Sequence, residues 1–206
     1  MKNPINNITT TDLNELRREA SALQMKGAPY MMASVVIWGI ILAIRTTSLD
    51  IQMMNLLTFY STMLMMPLGW LFGKLMGTNI FRKTSNPVSK LGFLCTMNQM
   101  LYILIVSWAC TMNPEAMLLF FAIIFGSHLL PFSWVYDSKI YLVISIVEAI
   151  GSLILGCIFG GAVMSAFIVV CQLIISVVLF VECKAFRTAK KAAVELEWIA
   201  EAGDLG

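Results

Sequence analysis

Residues 140–181 read IYLVISIVEAIGSLILGCIFGGAVMSAFIVVCQLIISVVLFV, 42 residues with a single formal charge, Glu148. At 1.5 Å per residue a continuous helix of that length measures about 63 Å, twice the ~30 Å hydrocarbon core of a bilayer. Open sheet is excluded, because its edge groups would go unpaired in lipid. The stretch therefore reads as a helical hairpin that crosses a membrane twice. Gly160-Gly161 at its middle is the expected turn.

Four further apolar stretches precede it. With the hairpin they place spans at about 28–44, 51–73, 91–112, 116–135, 140–159 and 161–182, none with Lys or Arg inside. Asn113-Pro114-Glu115 is expected to turn the chain between the third span and the fourth, since Pro114 cannot continue a helix. The whole chain agrees. It is 59% hydrophobic and 13% charged, against ~45–50% and about a quarter in an ordinary soluble domain. Such a composition excludes a cytosolic enzyme, a disordered chain and a secreted disulfide scaffold. The fold class is all-α, a polytopic membrane protein with six transmembrane helices in one bundle.

Orientation follows from the basic residues. Thirteen of the fourteen fall on one side of a six-span layout: Lys2, Arg17, Arg18, Lys26, Lys74, Arg82, Lys83, Lys90, Lys139, Lys184, Arg187, Lys190 and Lys191. Arg45 alone falls on the other. Both termini are therefore expected in the cytoplasm. Residues 1–27 form a polar N-terminal segment without the pattern of a secretory signal. Within it Asp12-Leu13-Asn14-Glu15 has capping-box spacing and opens a short helix with Leu13, Leu16 and Leu23 on one face. It is read as resting on the membrane or on the bundle. Residues 183–206, rich in Ala, Lys and Glu, are expected to carry span six onward as a helical tail with Phe186, Ala193, Leu196 and Ala200 along one face and Trp198 near the lipid.

Polar groups at bilayer depth are costly, so their positions carry most of the functional information. Glu148 lies about 13 Å beyond Lys139 by helix rise. Ser145 and Ser152 extend it into a polar stripe, beside a ridge of small residues made by Ala149, Ser152, Gly156 and Gly160 that suits close helix approach. His128, the one histidine, lies about 10 Å deep on span four. Pro131 frees the carbonyl of Ser127 beside it. Asn98, Gln99 and Gln172 fall near the same depth. Glu148 is expected to be the main proton- or ligand-binding group with His128 as its partner. For Asn98, Gln99 and Gln172 a purely structural role in joining helices is favoured. Gly69, Gly73 and Gly77 make a small-xxx-small face on span two, read as intramolecular packing in preference to a homo-oligomer seam. Pro67 should kink that span. Trp134 and Tyr136 fit an interfacial aromatic belt.

Other chemistry lacks its residues. Cys95, Cys110, Cys157, Cys171 and Cys183 form no C-x-x-C pair and read as apolar packing. There is no His-Glu-x-x-His, no phosphate loop and no Gly-x-Ser-x-Gly, so no metal, cofactor or catalytic residue is assigned. The basic loop at 74–90 is too short and scattered to argue for nucleic acid. The expected partner is the lipid bilayer, with an ion or small-molecule ligand unassigned.

Asn98-Gln99-Met100-Leu101-Tyr102 and Gly126-Ser127-His128-Leu129-Leu130-Pro131-Phe132-Ser133-Trp134-Val135-Tyr136 resemble segments of a family of uncharacterised bacterial membrane proteins, a domain of unknown function. The resemblance covers roughly residues 25–160. It implies a multi-pass protein of a bacterial plasma membrane and supplies no activity. Two function classes follow from the residues. One is a small secondary transporter handling a proton or solute through Glu148 and His128. The other is a non-transporting scaffold, sensor or assembly factor whose polar layer fixes helix packing. An embedded enzyme is the least favoured class.

Overall fold

The computed structural model describes residues 10–78 and 84–203. Among them there is no strand. Helices α1 (Thr10–Gln24), α2 (Ala28–Arg45), α3 (Ile51–Thr62), α4 (Met65–Leu75), α5 (Pro87–Leu101), α6 (Ile103–Met112), α7 (Met117–Ser127), α8 (Leu130–Val135), α9 (Lys139–Phe159) and α10 (Gly161–Gly203) follow in order. They compose six segments long and apolar enough to cross a membrane: Asp12–Arg45, Ile51–Leu75, Pro87–Met112, Pro114–Val135, Lys139–Phe159 and Gly161–Ala185. Lys2, Arg82 and Lys83 lie outside the described residues. So do the side chains of Arg187, Lys190, Lys191 and of the tail face from Phe186 to Ala200, Trp198 included.

Prolines break two of the spans one turn upstream of themselves. Pro67 has no N–H for the carbonyl of Met63 and its ring crowds that carbonyl. The helix tightens there, with Met63 and Leu64 bonding three residues back, to Tyr60 and Ser61. Pro131 does the same at His128-Leu129, splitting span four into α7 and α8. The break at Tyr102 has neither proline nor glycine beside it, and nothing in the structure explains it. Gly160 turns the last hairpin at φ 80° and ψ −176°, a conformation open to glycine.

The centre is built from α2, α7, α9 and α10. Spans two and three lie outside, and Met63, Leu75, Leu104 and Met112 stay about 70% exposed, as side chains meant for lipid would. Glycines set how closely the inner helices meet. A Cβ on Gly126 of α7 would lie 2.8 Å from Glu148 Cβ and 2.9 Å from the Ala149 nitrogen of α9. On Gly69 it would lie 2.7 Å from the Tyr30 ring, so that face is filled from within the chain. Gly73 is buried beside it. Gly77 departs from the expected packing role. At φ +69°, with nothing within 4 Å of where a Cβ would stand, it ends α4 instead. Thr78 N–H bonds the Gly73 carbonyl and Gly77 N–H that of Lys74, a left-handed helix stop. Gly156 packs against Leu119 and Met164, whereas a Cβ on Gly160 would meet nothing within 4 Å and that residue makes the turn.

Each end of the bundle is tied by polar contacts. At one end α1 folds back over the bundle after a left-handed kink at Met25, Lys26 and Gly27 (φ 47°, 50° and 75°). Leu13 and Leu16 pack on the core there. Arg17 bonds the Trp134 carbonyl and Asp137, and Asn86 donates to the Leu16 carbonyl and to Glu19. Lys26 pairs with Glu182 of α10 at 2.6 Å. The helix begins at Thr10, so Asp12 stands in its first turn and not at its cap. Tyr136 is 5% exposed, with its hydroxyl donating to Gln24, so it belongs to this contact and not to an interfacial belt. Trp134, 45% exposed, keeps that place. At the opposite end Arg45 bonds Asn55 and Thr58, and Asn55 bonds the Pro114 carbonyl, joining three segments.

Replacing Gly126 with Ala should push α7 from α9 and lower unfolding stability in detergent by ~1–3 kcal/mol, the cost of overpacking. Gly39→Ala is the control. A methyl there meets nothing within 4 Å, and the better helix former should leave stability unchanged or raise it by up to ~1 kcal/mol.

Candidate functional site

The inner helices carry two apolar clusters stacked along the bundle. One gathers Ala28, Met31, Leu129, Ile144, Cys171 and Ile175 toward the α1 end. The other gathers Ile37, Trp38, Ala122, Phe125, Met164 and Ile168 toward the Arg45 end. Between them, in the register of each helix, fall Ser34, Gly126, Glu148 and Gln172. Ser34, Glu148 and Gln172 are each 0% exposed. Helical repeat explains the layer: on α2, α7 and α10 the apolar residues of the two clusters flank this position by about one turn.

Gln172 is the hub. Its Nε2 donates to Glu148 Oε1 at 2.7 Å, and its Oε1 accepts from Ser34 Oγ at 2.5 Å. Three helices, α2, α9 and α10, are thereby joined through one amide. Ser34 Oγ also lies 2.7 Å from the Met31 carbonyl. A hydroxyl has one proton, so it donates to one of these two acceptors at a time. The chain of bonds can consequently run in either direction. With Ser34 donating to Gln172, the amide donates to a carboxylate. With Ser34 donating to Met31, a turned amide can donate to Ser34 and accept from a protonated Glu148, the two amide ends having nearly the same shape.

Glu148 Oε2 has no hydrogen-bond partner among the described residues and is buried. Ser152 and Ser176 hydroxyls, one turn from Glu148 and Gln172 on their helices, are likewise buried and unbonded. A buried carboxyl with one oxygen unpartnered is the polar group a bundle normally avoids, since each such group forfeits its bonds to water. The Gly126 contact lets α7 approach the backbone and Cβ of Glu148 closely.

His128 does not join the layer. Its Nδ1 bonds the Phe125 carbonyl of its own helix. Its ring stands between Phe125 and Phe132 at centroid distances of 5.3 and 6.1 Å, within an aromatic row from Trp38 to Tyr141. The ring faces along that row, and equal depth does not bring it to Glu148. Asn98 and Gln99 are also absent from the layer. Span three lies on the periphery, where Asn98 is exposed and bonds Tyr102 four residues on. Gln99 is half-buried. Of the expected polar residues the structure brings together Glu148 and Gln172, with Ser152 a turn away. Ser34 and Gly126 were not singled out. Ser34 sits four residues before Trp38 on a face of small and apolar side chains, and only its spacing from Met31 and Ile37 marks it as inward. Among the described residues no group of His, Cys, Asp and Glu could hold a metal ion.

Gln172→Ala should cost ~1–3 kcal/mol of unfolding stability in detergent, because it strips a donor from buried Glu148 and an acceptor from Ser34. Asn98→Ala, on the exposed surface, should stay within ~0.5 kcal/mol. Equal effects would remove Gln172 from its central place.

No curated protein and no solved structure matches the chain. A family model does, over residues 13–182, from the polar helix α1 to the end of the sixth span. That range takes in every residue of the buried layer and the whole of both resembling segments. The chain belongs to DUF7010, a family of unknown function.

Proposed function

We propose that this is a proton- or small-solute-handling integral membrane protein in which Glu148 is the exchanging group. The observation that carries the reading is the Glu148 carboxyl itself, wholly buried, bonded to Gln172 through one oxygen and, among the described residues, unbonded at the other. A charge at this depth calls for a proton or a cation to neutralise it. The Glu148–Gln172–Ser34 chain has a bond direction for each protonation state, so gain or loss of a proton is transmitted to Ser34 and the Met31 carbonyl on α2. The layer is closed in this conformation, and exchange requires α7 or α2 to move from it. His128 takes no part in the chain.

The basic residues and the resemblance support a placement in the membrane. Residues 28–182 form the membrane domain of a bacterial plasma-membrane protein, with 1–27 and 183–206 on the cytoplasmic side. Lys26 and Glu182 meet at one end of the bundle, which fits a shared side for the two flanking segments. A reporter active only outside the cytoplasm should be silent when fused after Gly206 and active when fused at Asn113. The opposite result would invert the topology.

One observation favours the other class. Ser34, Glu148, Ser152 and Gln172 all have 0% exposure, which suits a scaffold whose polar residues only lock three helices. Proton flux in vesicles of purified protein separates the readings. As a proton handler the protein should dissipate an imposed pH gradient. Glu148→Gln should reduce that flux at least tenfold and His128→Ala should leave it within about twofold, with each ~1.4 kcal/mol of lost stabilisation worth a factor of ten. An inactive wild type with Glu148→Gln altering only thermal stability would assign the layer to structure.

A further inference from the structure

The kinked N-terminal helix creates a second polar feature, at the end of the bundle and separate from Glu148. Between α1 and the turn joining spans four and five lies a cleft of about 250 Å³. Arg17, Arg18 and Lys26 line it, with Ser21, Asn14 and Asp137. Three cations thus converge on one recess of a chain whose formal net charge is only +2.

Two of the three are already tied in place. Arg17 Nε donates to the Trp134 carbonyl at 2.8 Å and Nη2 to Asp137 at 3.0 Å, while its guanidinium stands 5.0 Å over the Trp134 ring. Those bonds use two of its five N–H donors and fix the plane of the group, leaving the rest for another acceptor. Lys26 is held by Glu182 at 2.6 Å. Arg18 is exposed, and no ion pair or hydrogen bond engages it among the described residues. Three cations against the carboxylates of Asp137 and Glu182 leave the recess one positive charge in excess.

Position narrows the ligand. The recess sits where spans four and five end, beside a half-exposed tryptophan, at the level expected for lipid headgroups. Its volume suits a phosphate and its ester oxygens, while acyl chains would remain in the hydrocarbon. The backbone that builds it is strained. Met25 and Lys26 are both left-handed without being glycine, a conformation that persists where surrounding structure enforces it and that clusters at binding sites. A single excess charge and a planar arginine with donors to spare match a singly charged phosphodiester.

We propose that this cleft binds a phosphodiester anion, supplied by an anionic phospholipid headgroup, so that α1 is clamped to the bundle by lipid as well as by Asp137. The test uses the full chain, delipidated in mild detergent and returned to defined phosphatidylglycerol or phosphatidylcholine, with bound lipid counted by native mass spectrometry. Wild type should retain phosphatidylglycerol over phosphatidylcholine. Arg18→Gln should lower that retention about fivefold, the usual worth of one basic side chain beside an anionic lipid. Arg18→Lys should restore most of it, and Lys90→Gln should leave it unchanged. Arg18 has no partner to lose, so its variants keep the fold, and an unchanged unfolding temperature verifies this. A parallel arm adds inorganic phosphate without lipid. Binding there that Arg18→Gln abolishes, with no preference between lipids, would keep the anion site and give it a soluble phosphate. Equal phosphatidylglycerol retention by wild type and Arg18→Gln, with no phosphate binding, would overturn the proposal.

Discussion

In hydrocarbon there is no water to bond a stray polar group, and the interior of this bundle is organised around one that cannot be sent elsewhere. Glu148 lies in the middle of α9, and its carboxyl has to find partners inside the protein. Gln172 supplies one donor, and Ser34 completes the other side of the amide. For that geometry to exist α2, α9 and α10 must sit in one register. Beside these bonds Gly126 lets α7 reach the backbone of α9. Apolar clusters above and below then seal the layer.

The ends of the bundle answer to a different constraint. There the chain leaves the hydrocarbon and its helix termini and turns carry charges, so ties form between distant segments. Lys26 with Glu182, Asn86 with α1, and Asn55 with the Pro114 carbonyl each bridge elements far apart in sequence. Arg45 stands alone in a count of charges. In three dimensions it pins span one to span two, whose Asn55 in turn reaches the turn before span four. Interfacial polar contacts of this kind fix the rotation of helices whose lipid-facing surfaces are interchangeable.

Several features were legible because they depend on short stretches of chain. Pro67 and Pro131 break helices where a missing N–H falls, one turn upstream. Gly160 turns the last hairpin. Glu148 could be singled out as inward-facing from the serines and small residues on its own helix. Other features were not legible because they depend on which helix stands beside which. His128 and Glu148 share a depth, yet the imidazole lies in a row of aromatics. Asn98 and Gln99 have the depth of the layer but belong to a span on the periphery. Gly77 continues a four-residue repeat, and only its positive φ separates a helix stop from a packing surface.

Composition and span length determined by themselves that the described chain is helical, with six segments able to cross a bilayer, because covering ~30 Å of hydrocarbon with backbone bonds satisfied leaves few alternatives. They also marked Glu148 as the charge that has to be accommodated. Tertiary structure alone decided its partners. Gln172 is 24 residues away in the chain and Ser34 lies 138 residues from Gln172. No periodicity within one helix encodes the rotation of another. That rotation is set by the summed packing of glycine contacts, aromatic rows and end ties, which exist only once all six segments have assembled.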